Sequence, residues 1–260
     1  LTLADGSTRL ISFAEFDALD GNAKHALWVS LFEDGNALPG IFSVATNKKV
    51  KFSKGNLCYV VNGAKWRMYE HQYDFCNTTT YAGHHSDTVS LFTWGYDATK
   101  SIIPDGQTGD NVSRISGNLT QTEDWGCKIG DGNTWRTLSD VEWGYLIADT
   151  TRMVNDKPCW SSPAGGVTIG GKTYHGLFLY PDHYDGDVVS SSMSWDDINA
   201  AGIVFLPAAG WRMSNIITGI DDEFGTYWSS TAPDDSFAFG ECFYCGDTPY
   251  GSTDCPRDEG

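Results

Sequence analysis

Apolar and polar residues alternate in short runs over residues 41–70, which predicts antiparallel strands. Ile41–Ala45 is the first run. Leu57–Val61 leads through Asn62-Gly63, a dipeptide typical of two-residue hairpin turns, into Trp66–Tyr69. Residues 71–134 are mostly Gly, Asn, Asp, Thr and Ser, which predicts a long region of loops. This half of the chain is therefore expected to contain short strands joined by extensive loops.

Helical spacing is clearest within residues 135–149. Ser139 and Glu142 form an S-x-x-E capping box, in which each residue satisfies a backbone amide at the start of a helix. One face of the predicted helix carries Val141, Tyr145 and Leu146, with Trp143 beside it. The cap accounts for Glu142 without any catalytic role.

The last third of the chain predicts further short elements. A short helix starts at Ser194 and ends at Gly202, and Ile203–Leu206 is an apolar strand closed by a proline. Tyr227–Ser230 begins another strand, and residues 231–260 are rich in turn-forming residues.

Two domains of unequal size are expected. Residues 1–40 form an N-terminal helical segment, in which Ser12 and Glu15 make a second capping box, and residues 41–260 form the main domain. The chain starts at Leu1 with neither a methionine nor a signal-like segment, so we expect a mature or trimmed chain.

Composition narrows the class of protein. Twenty-nine glycines with 10 Trp, 12 Tyr and 13 Phe are typical of a loop-rich α+β domain. A net charge of −17 disfavours binding to nucleic acid or to an anionic membrane, and favours solubility outside the cell. The sequence contains no apolar run of 18 residues, so no direct membrane insertion is expected.

Three stretches carry a family resemblance. They are residues 38–57, the block Trp135–Trp143, and residues 204–212 with Tyr227–Thr231. Together they resemble gut-Bacteroidetes surface proteins of the formylglycine-generating-enzyme-like branch of the C-type lectin fold. This group includes the variable proteins of diversity-generating retroelements of bacteria and their phages, which bind ligands through hypermutated terminal strands and loops. The resemblance implies short twisted antiparallel sheets, two or three helices and long loops.

The resemblance also implies a composition for the variable region, set here at residues 232–260. Mutagenesis of adenines in asparagine codons cannot produce Trp, Met, Lys, Gln or Glu. Residues 232–260 contain no Trp, Met, Lys or Gln, and only Glu241 and Glu259 fall outside the reachable set. Ser236, Ala238 and Phe243 match positions that stay fixed in such regions.

Sixteen other positions of this region are the expected ligand-binding residues. They are Ala232, Pro233, Asp235, Phe237, Phe239, Gly240, Cys242, Tyr244, Cys245, Asp247, Tyr250, Ser252, Thr253, Asp254, Pro256 and Asp258. Aromatic anchors among small polar residues are typical of antibody-like contact surfaces.

Metal and redox chemistry remain as alternatives. Cys242-x-x-Cys245 with Cys255 offers three zinc ligands, but no histidine follows His183 to supply a fourth. Residues 182–187 cluster oxygen ligands around a glycine and favour structural Ca²⁺ at most, since the EF-hand spacing is absent. His84-His85 in a polar loop is read as a solvated turn. No catalytic residue, cofactor or metal is expected.

The sequence therefore predicts a receptor-type binding protein that is extracellular, on the cell surface or on a phage particle. Its partner would be a protein or another cell-surface molecule. A surface adhesin without a diversified site is the first alternative. A copper-dependent oxidase of the formylglycine-generating type is the second, although its cysteines would have to lie in the segment that looks hypermutable.

Overall fold

The computed structural model describes residues 37–60, 65–75, 88–92, 94, 115–129, 135–148, 153–154, 156–213, 216–219, 223–247, 249 and 251–257. The predicted helix at Ser12, the turn Asn62-Gly63 and the histidine pair His84-His85 lie outside these residues. The domain boundary predicted at residue 40 is only partly covered: Leu38, just before it, is buried in the same core as Phe42.

Seventeen short strands account for most of the regular structure described. They are β1 Phe42–Ala45, β2 Lys48–Val50, β3 Leu57–Val60, β4 Lys65–Met68, β5 Thr88–Val89, β6 Met153–Val154, β7 Lys157–Pro158, β8 Trp160–Ser161, β9 Val167–Ile169, β10 Lys172–Tyr174, β11 Gly176–Leu179, β12 Val204–Pro207, β13 Trp211–Met213, β14 Ile216–Thr218, β15 Phe224–Trp228, β16 Phe237–Tyr244 and β17 Gly251–Pro256.

These strands form small antiparallel sheets of two or three strands within the described ranges. The three-stranded sheets have the orders β4-β3-β5, β12-β11-β8 and β15-β16-β17. The helices are few: a 3-10 turn at Trp125–Lys128, α1 at Asp140–Trp143 continuing as a π-helical turn over Gly144–Ala148, and α2 at Trp195–Ala200. This mostly-sheet fold with few helices is compatible with the predicted α+β class.

The capping box predicted at α1 is confirmed. The Glu142 amide donates to Ser139 Oγ, and the Ser139 amide donates to Glu142 Oε2 at 2.9 Å. The predicted apolar face is wrong for two residues, because Val141 is 72% exposed and Tyr145 is also exposed. The buried side consists of Trp143, Leu146 and Ile147.

The error at α1 has a physical cause. Glu142 is buried because its carboxylate completes the capping box and pairs with Arg136. From Gly144 onward the helix continues as a π-helical turn. A π turn holds more residues than an α turn, so the 3.6-residue period used to assign the face does not apply there.

Most of the other predicted elements are present with small shifts. The β3–β4 pair confirms the hairpin, α2 begins after its cap Ser194, and β12 covers the apolar run before Pro207. Residues 231–260, predicted as turns, contain the long strand β16 and its partner β17.

Three apolar clusters make up the described core. The first joins α1 to β1, β11 and β12 and includes Phe243. The second gathers aromatics around Trp94 and Trp125, and the third packs α2 against Phe178 and Phe205. Gly202 allows the end of α2 to approach β1, because a Cβ there would lie 2.3 Å from the backbone nitrogen of Gly40.

Candidate functional site

The predicted binding segment forms the terminal hairpin, defined here as residues 232–257. β16 is the centre of the sheet, paired with β15 on one side and with β17 on the other. The register with β17 runs from Phe237 opposite Pro256 to Cys242 opposite Gly251. The described strands of this hairpin therefore belong to one three-stranded sheet with β16 at its centre.

Two residues of β16 anchor the hairpin to the interior. Phe243 and Ala238 are each 0% exposed, and they pack into the first and second core clusters respectively. The Phe243 ring occupies space opposite Gly225 of β15, where a Cβ would lie 2.3 Å from the ring. These are two of the three positions that the resemblance implies as fixed; the third, Ser236, is exposed.

Arg257 fastens the end of the hairpin. Its guanidinium is 0% exposed and stacks on the Trp94 ring at 4.3 Å. It donates to the carbonyl oxygens of Phe237 at 3.0 Å, Ile115 at 2.5 Å and Asp234. A planar fork with several donors suits this kind of multiple carbonyl recognition, which a lysine could not reproduce.

The loop before β16 is held from the same side. Asp234 Oδ1 accepts the amides of Ser236 and Phe237 at 2.7 and 2.9 Å, and these bonds lower the pKa of the Asp234 carboxyl. The Ala232 amide donates to Asn118 Oδ1 at 2.9 Å. The loop is therefore held by the side chains of Asn118, Asp234 and Arg257.

The predicted ligand-binding residues divide by exposure. Pro233, Asp235, Phe237, Asp247, Thr253 and Asp254 are exposed. Ala232, Phe239, Tyr244, Cys245 and Pro256 are half-buried. Gly240 and Cys242 are buried, which places them below the surface that a partner would touch. Tyr250 and Asp258 lie outside the described residues, and Ser252 is described by its backbone alone, opposite Glu241.

The three cysteines of the predicted zinc alternative have different neighbours. Cys242 lies beside Thr226, with Sγ 3.7 Å from the threonine Oγ1, and a hydrogen bond from Cys255 lowers the pKa of the Cys242 thiol to about 7 against the opposing effect of burial. Cys245 instead packs on the first core cluster, where burial raises its thiol pKa to about 11. No three His, Cys, Asp or Glu side chains within the described ranges form a metal-binding group.

Cys242 and Cys255 are near each other without being placed for a disulfide. Both Sγ atoms lean over Gly240, and a Cβ on that glycine would lie 3.0 Å from Cys255 Sγ. In the strand register, however, Cys255 stands opposite Ala238 and Cys242 opposite Gly251. The two side chains therefore reach toward each other from positions four residues apart in the register, and they form no disulfide.

Glu241 is buried, and neither of its carboxylate oxygens has a hydrogen-bond partner among the residues that the structure describes. Burial raises the pKa of its carboxyl to about 8, and the neighbouring Cys242 thiolate raises it further. The Gly251 amide opposes this shift without reaching hydrogen-bond geometry. At neutral pH the side chain is therefore mostly a neutral acid within the sheet.

The oxygen-rich loop at residues 182–187 is already engaged by protein groups. Asp182 accepts from the Ser43 amide and hydroxyl at 2.9 and 2.6 Å and from Lys49 Nζ at 2.9 Å. Lys157 Nζ donates to the carbonyls of Asp185, at 2.9 Å, and Gly186. The ammonium groups of Lys49 and Lys157 thus bind oxygens that the sequence pattern offered as possible Ca²⁺ ligands.

Sequence analysis missed Arg257 as a positioning residue. One signal for it was present: Arg257 is the single Lys or Arg among residues 232–260. Its contacts with Ile115 and Trp94 join segments more than a hundred residues apart in sequence, and no local pattern encodes such contacts.

Comparison with known proteins yields no similarity. No family model, curated protein or solved structure matches this chain. The helices of the described part of the chain include none that is long and apolar enough to traverse a bilayer.

Proposed function

We propose that this chain is a ligand-binding display protein with a C-type-lectin-like fold, of the kind diversified by retroelements, and that its contact surface is the exposed part of the terminal hairpin. One observation carries the proposal: this segment combines exposed positions with residues fixed by burial. Asp235, Phe237 and Asp254 are exposed, whereas Ala238, Phe243 and Arg257 are fully buried.

Burial agrees with the composition of the segment. Glu241 lies in β16 and cannot arise by adenine mutagenesis of asparagine codons, and it is 0% exposed. A residue outside the reachable set is thus located where variation would disturb the core rather than alter a contact. The exposed positions all carry residues that such mutagenesis can produce.

The chemistry of the exposed positions suits recognition of another macromolecule. Phe237 is 38% exposed and lies on the same face of the sheet as the exposed Asp254, which stands opposite Phe239. An aromatic anchor within a polar, hydrated rim is a common composition of protein-binding surfaces. The net charge of −17 disfavours nucleic acid as the partner. The partner is therefore a protein or a cell-surface molecule, the chain acts at the cell or phage surface, and no reaction is involved.

The first test is to sequence the DNA that flanks the coding region. We expect a near-copy of the segment encoding residues 228–260, differing at adenines, beside a reverse transcriptase gene. The differing codons should include those of Asp235, Phe237 and Asp254 and should spare those of Ala238 and Phe243. Absence of a copy, or differences concentrated at the buried positions, would overturn the proposal and leave the adhesin alternative.

A second test measures whether the surface tolerates variation. A triple variant, Asp235→Ser, Phe237→Ser and Asp254→Ser, should unfold within about 3 °C of the parent, because exposed substitutions change stability little. The single variant Phe243→Ser serves as the buried control and should unfold far below it. If the triple variant loses as much stability as the control, these residues support the fold and are not a display surface.

A further inference from the structure

A cavity of about 1420 Å³ lies where the three core clusters meet. Its lining is rich in aromatic side chains contributed by several elements. They include Phe52, Phe92, Trp125, Trp135, Trp143 and Trp228. Drug-sized ligands occupy pockets of about 300–1,000 Å³, so the space is ample for a small molecule.

The cavity is separate from the proposed display surface. No described residue of the terminal hairpin lines it, although Trp228 of the preceding strand does. Trp135 and Trp228 are half-buried, so their rings are partly open to the cavity.

Cations surround the aromatic lining in a chain that is otherwise strongly acidic. Lys48, Lys49, Lys51 and Arg136 all contribute to the wall. Two carboxylates face them: Glu142 accepts from Arg136 and Lys48, and Asp182 accepts from Lys49. A third carboxylate, Asp124, accepts from Thr137 of the wall, so four cationic side chains against three carboxylates leave a net charge of +1 among the described residues. The whole chain has a net charge of −17, whereas the wall of the cavity is positively charged and therefore favours an anionic ligand.

Neutral polar groups of the wall are largely engaged within the protein. The Gln72 side chain donates to Asn199 and Ile203 and accepts from Phe205. Thr137 Oγ1 donates to Asp124 at 3.1 Å. Few neutral donors or acceptors therefore face a ligand, and a polyhydroxylated neutral molecule would lose hydrogen bonds to water without replacing them.

We propose that this cavity is a second binding site, for a small planar aromatic anion whose ring contacts the tryptophans and whose carboxylate or sulfonate lies among the cations. Ring stacking and cation contacts supply the affinity. The positive charge of the lysines and Arg136 attracts the acid group, whereas both terminal nitrogens of the Arg136 guanidinium already donate to Glu142, at 2.6 and 2.7 Å.

The test uses three probes that share one ring system and differ in charge: naphthalene-2-sulfonate, naphthalene-2-methanol and 2-naphthylmethylammonium. Binding to the full chain is measured by calorimetry and by quenching of tryptophan fluorescence. We expect the sulfonate to bind at one site per chain, about tenfold more tightly than the ammonium. Equal affinity for the three probes, or no binding of the sulfonate up to about 1 mM, would show the proposal to be wrong.

Matched variants place the probe in the cavity. Trp135→Leu should weaken sulfonate binding about tenfold, because a stacking surface is lost. Trp211→Leu is its control, since Trp211 is also half-buried but packs on Phe224 outside the cavity. If the control loses as much affinity as Trp135→Leu, the probe binds elsewhere.

Charge is tested separately, because a tryptophan variant can fail to fold. Lys51→Gln should reduce sulfonate affinity about threefold to tenfold and leave binding of the neutral alcohol unchanged. Lys172→Gln is the control, since Lys172 is an exposed lysine outside the wall that lies over the Tyr174 ring. An equal loss for alcohol and sulfonate would mean that the lysine acts through the fold and not through charge.

Discussion

Two glutamates of this chain are buried to nearly the same extent and have opposite protonation behaviour. Glu142 in α1 is 5% exposed, and Glu241 in β16 is 0% exposed. The pKa of Glu142 is lowered to about 2, whereas that of Glu241 is raised to about 8. Removal from water is common to both sites, so the difference arises from the groups that surround each carboxylate.

Around Glu142, donors outweigh the cost of burial. Burial alone would raise its pKa, but hydrogen bonds from Arg136, Lys48 and the Ser139 amide lower it. The distances are 2.6 and 2.7 Å from the two guanidinium nitrogens and 2.7 Å from Lys48 Nζ. Around Glu241 no donor in the described part of the chain reaches either oxygen. Donors thus compensate the burial of Glu142, which stays ionised, whereas the burial of Glu241 is not compensated and favours the protonated acid.

The largest expected effect is the removal of the partnered carboxylate. Glu142→Ala should lower the free energy of unfolding by about 3 kcal/mol, because the cap and several charge-assisted hydrogen bonds disappear together. Urea unfolding at pH 7 measures this loss. Asp196→Ala, an exposed acid in the first turn of α2, is the matched control and should change little. A loss below that of the control would mean that burial of Glu142 costs as much as its partners supply.

Ionisation of the Glu241 carboxyl, by contrast, should lower the stability of the fold. The folded protein holds the Glu241 proton with a pKa of about 8, against 4.5 for the ordinary group. Stability from this site is therefore complete below pH 4.5 and is lost as the pH rises through 8. Between pH 6 and pH 8.5 the wild type should lose about 2 kcal/mol through this residue.

Glu241→Gln isolates that effect, because its amide cannot ionise. The variant should gain stability relative to wild type as the pH rises, measured by urea midpoints across the same series. Glu70→Gln, at an exposed glutamate, is the control and should run parallel to wild type. If Glu241→Gln also runs parallel to wild type, the carboxyl does not titrate in this range.

The two regions also differ in how far the sequence predicts them. The capping box of Ser139 and Glu142 is a local motif with a fixed spacing, and the structure confirms it. The ion pair with Lys48 is not predictable in this way, since it links residues 94 positions apart through the packing of β1 and β2 on α1. The π-helical turn that contains the exposed Tyr145 likewise depends on packing, not on periodicity.

Sequence analysis predicted turns over the terminal hairpin, whereas the structure contains strands β16 and β17 there and shows which of their residues are buried. A strand with period-two alternation separates exposed Phe237 from buried Ala238, but β16 is buried on both sides from Gly240 to Phe243. Composition alone gave no means to exclude Gly240 and Cys242 from the contact surface. Burial on both faces depends on what covers the sheet, and that is a property of the tertiary structure.

A smaller effect is expected when the positive charge beside Glu142 is kept and the guanidinium group is removed. Arg136→Lys retains a cation beside the carboxylate but cannot donate from two nitrogens in a fixed plane, so a loss of about 1 kcal/mol is expected. Urea unfolding at pH 7 again supplies the measurement. Lys48→Gln is informative beside it, because that side chain is 57% exposed and its ion pair should contribute less. A larger loss for Lys48→Gln than for Arg136→Lys would show that charge and not geometry stabilises the site.

The smallest effect concerns the neighbour that raises the pKa of Glu241. The Cys242 thiol has a pKa of about 7, so its thiolate forms within the pH range in which Glu241 titrates. Cys242→Ser removes that negative charge, and the pH midpoint of the stability loss should then move to lower pH by less than about one unit. Repeating the urea series in the variant measures the shift. Cys245→Ser is the control, because burial raises the pKa of that thiol to about 11 and keeps it uncharged across the series. An unmoved midpoint in Cys242→Ser would assign the raised pKa of Glu241 to burial alone.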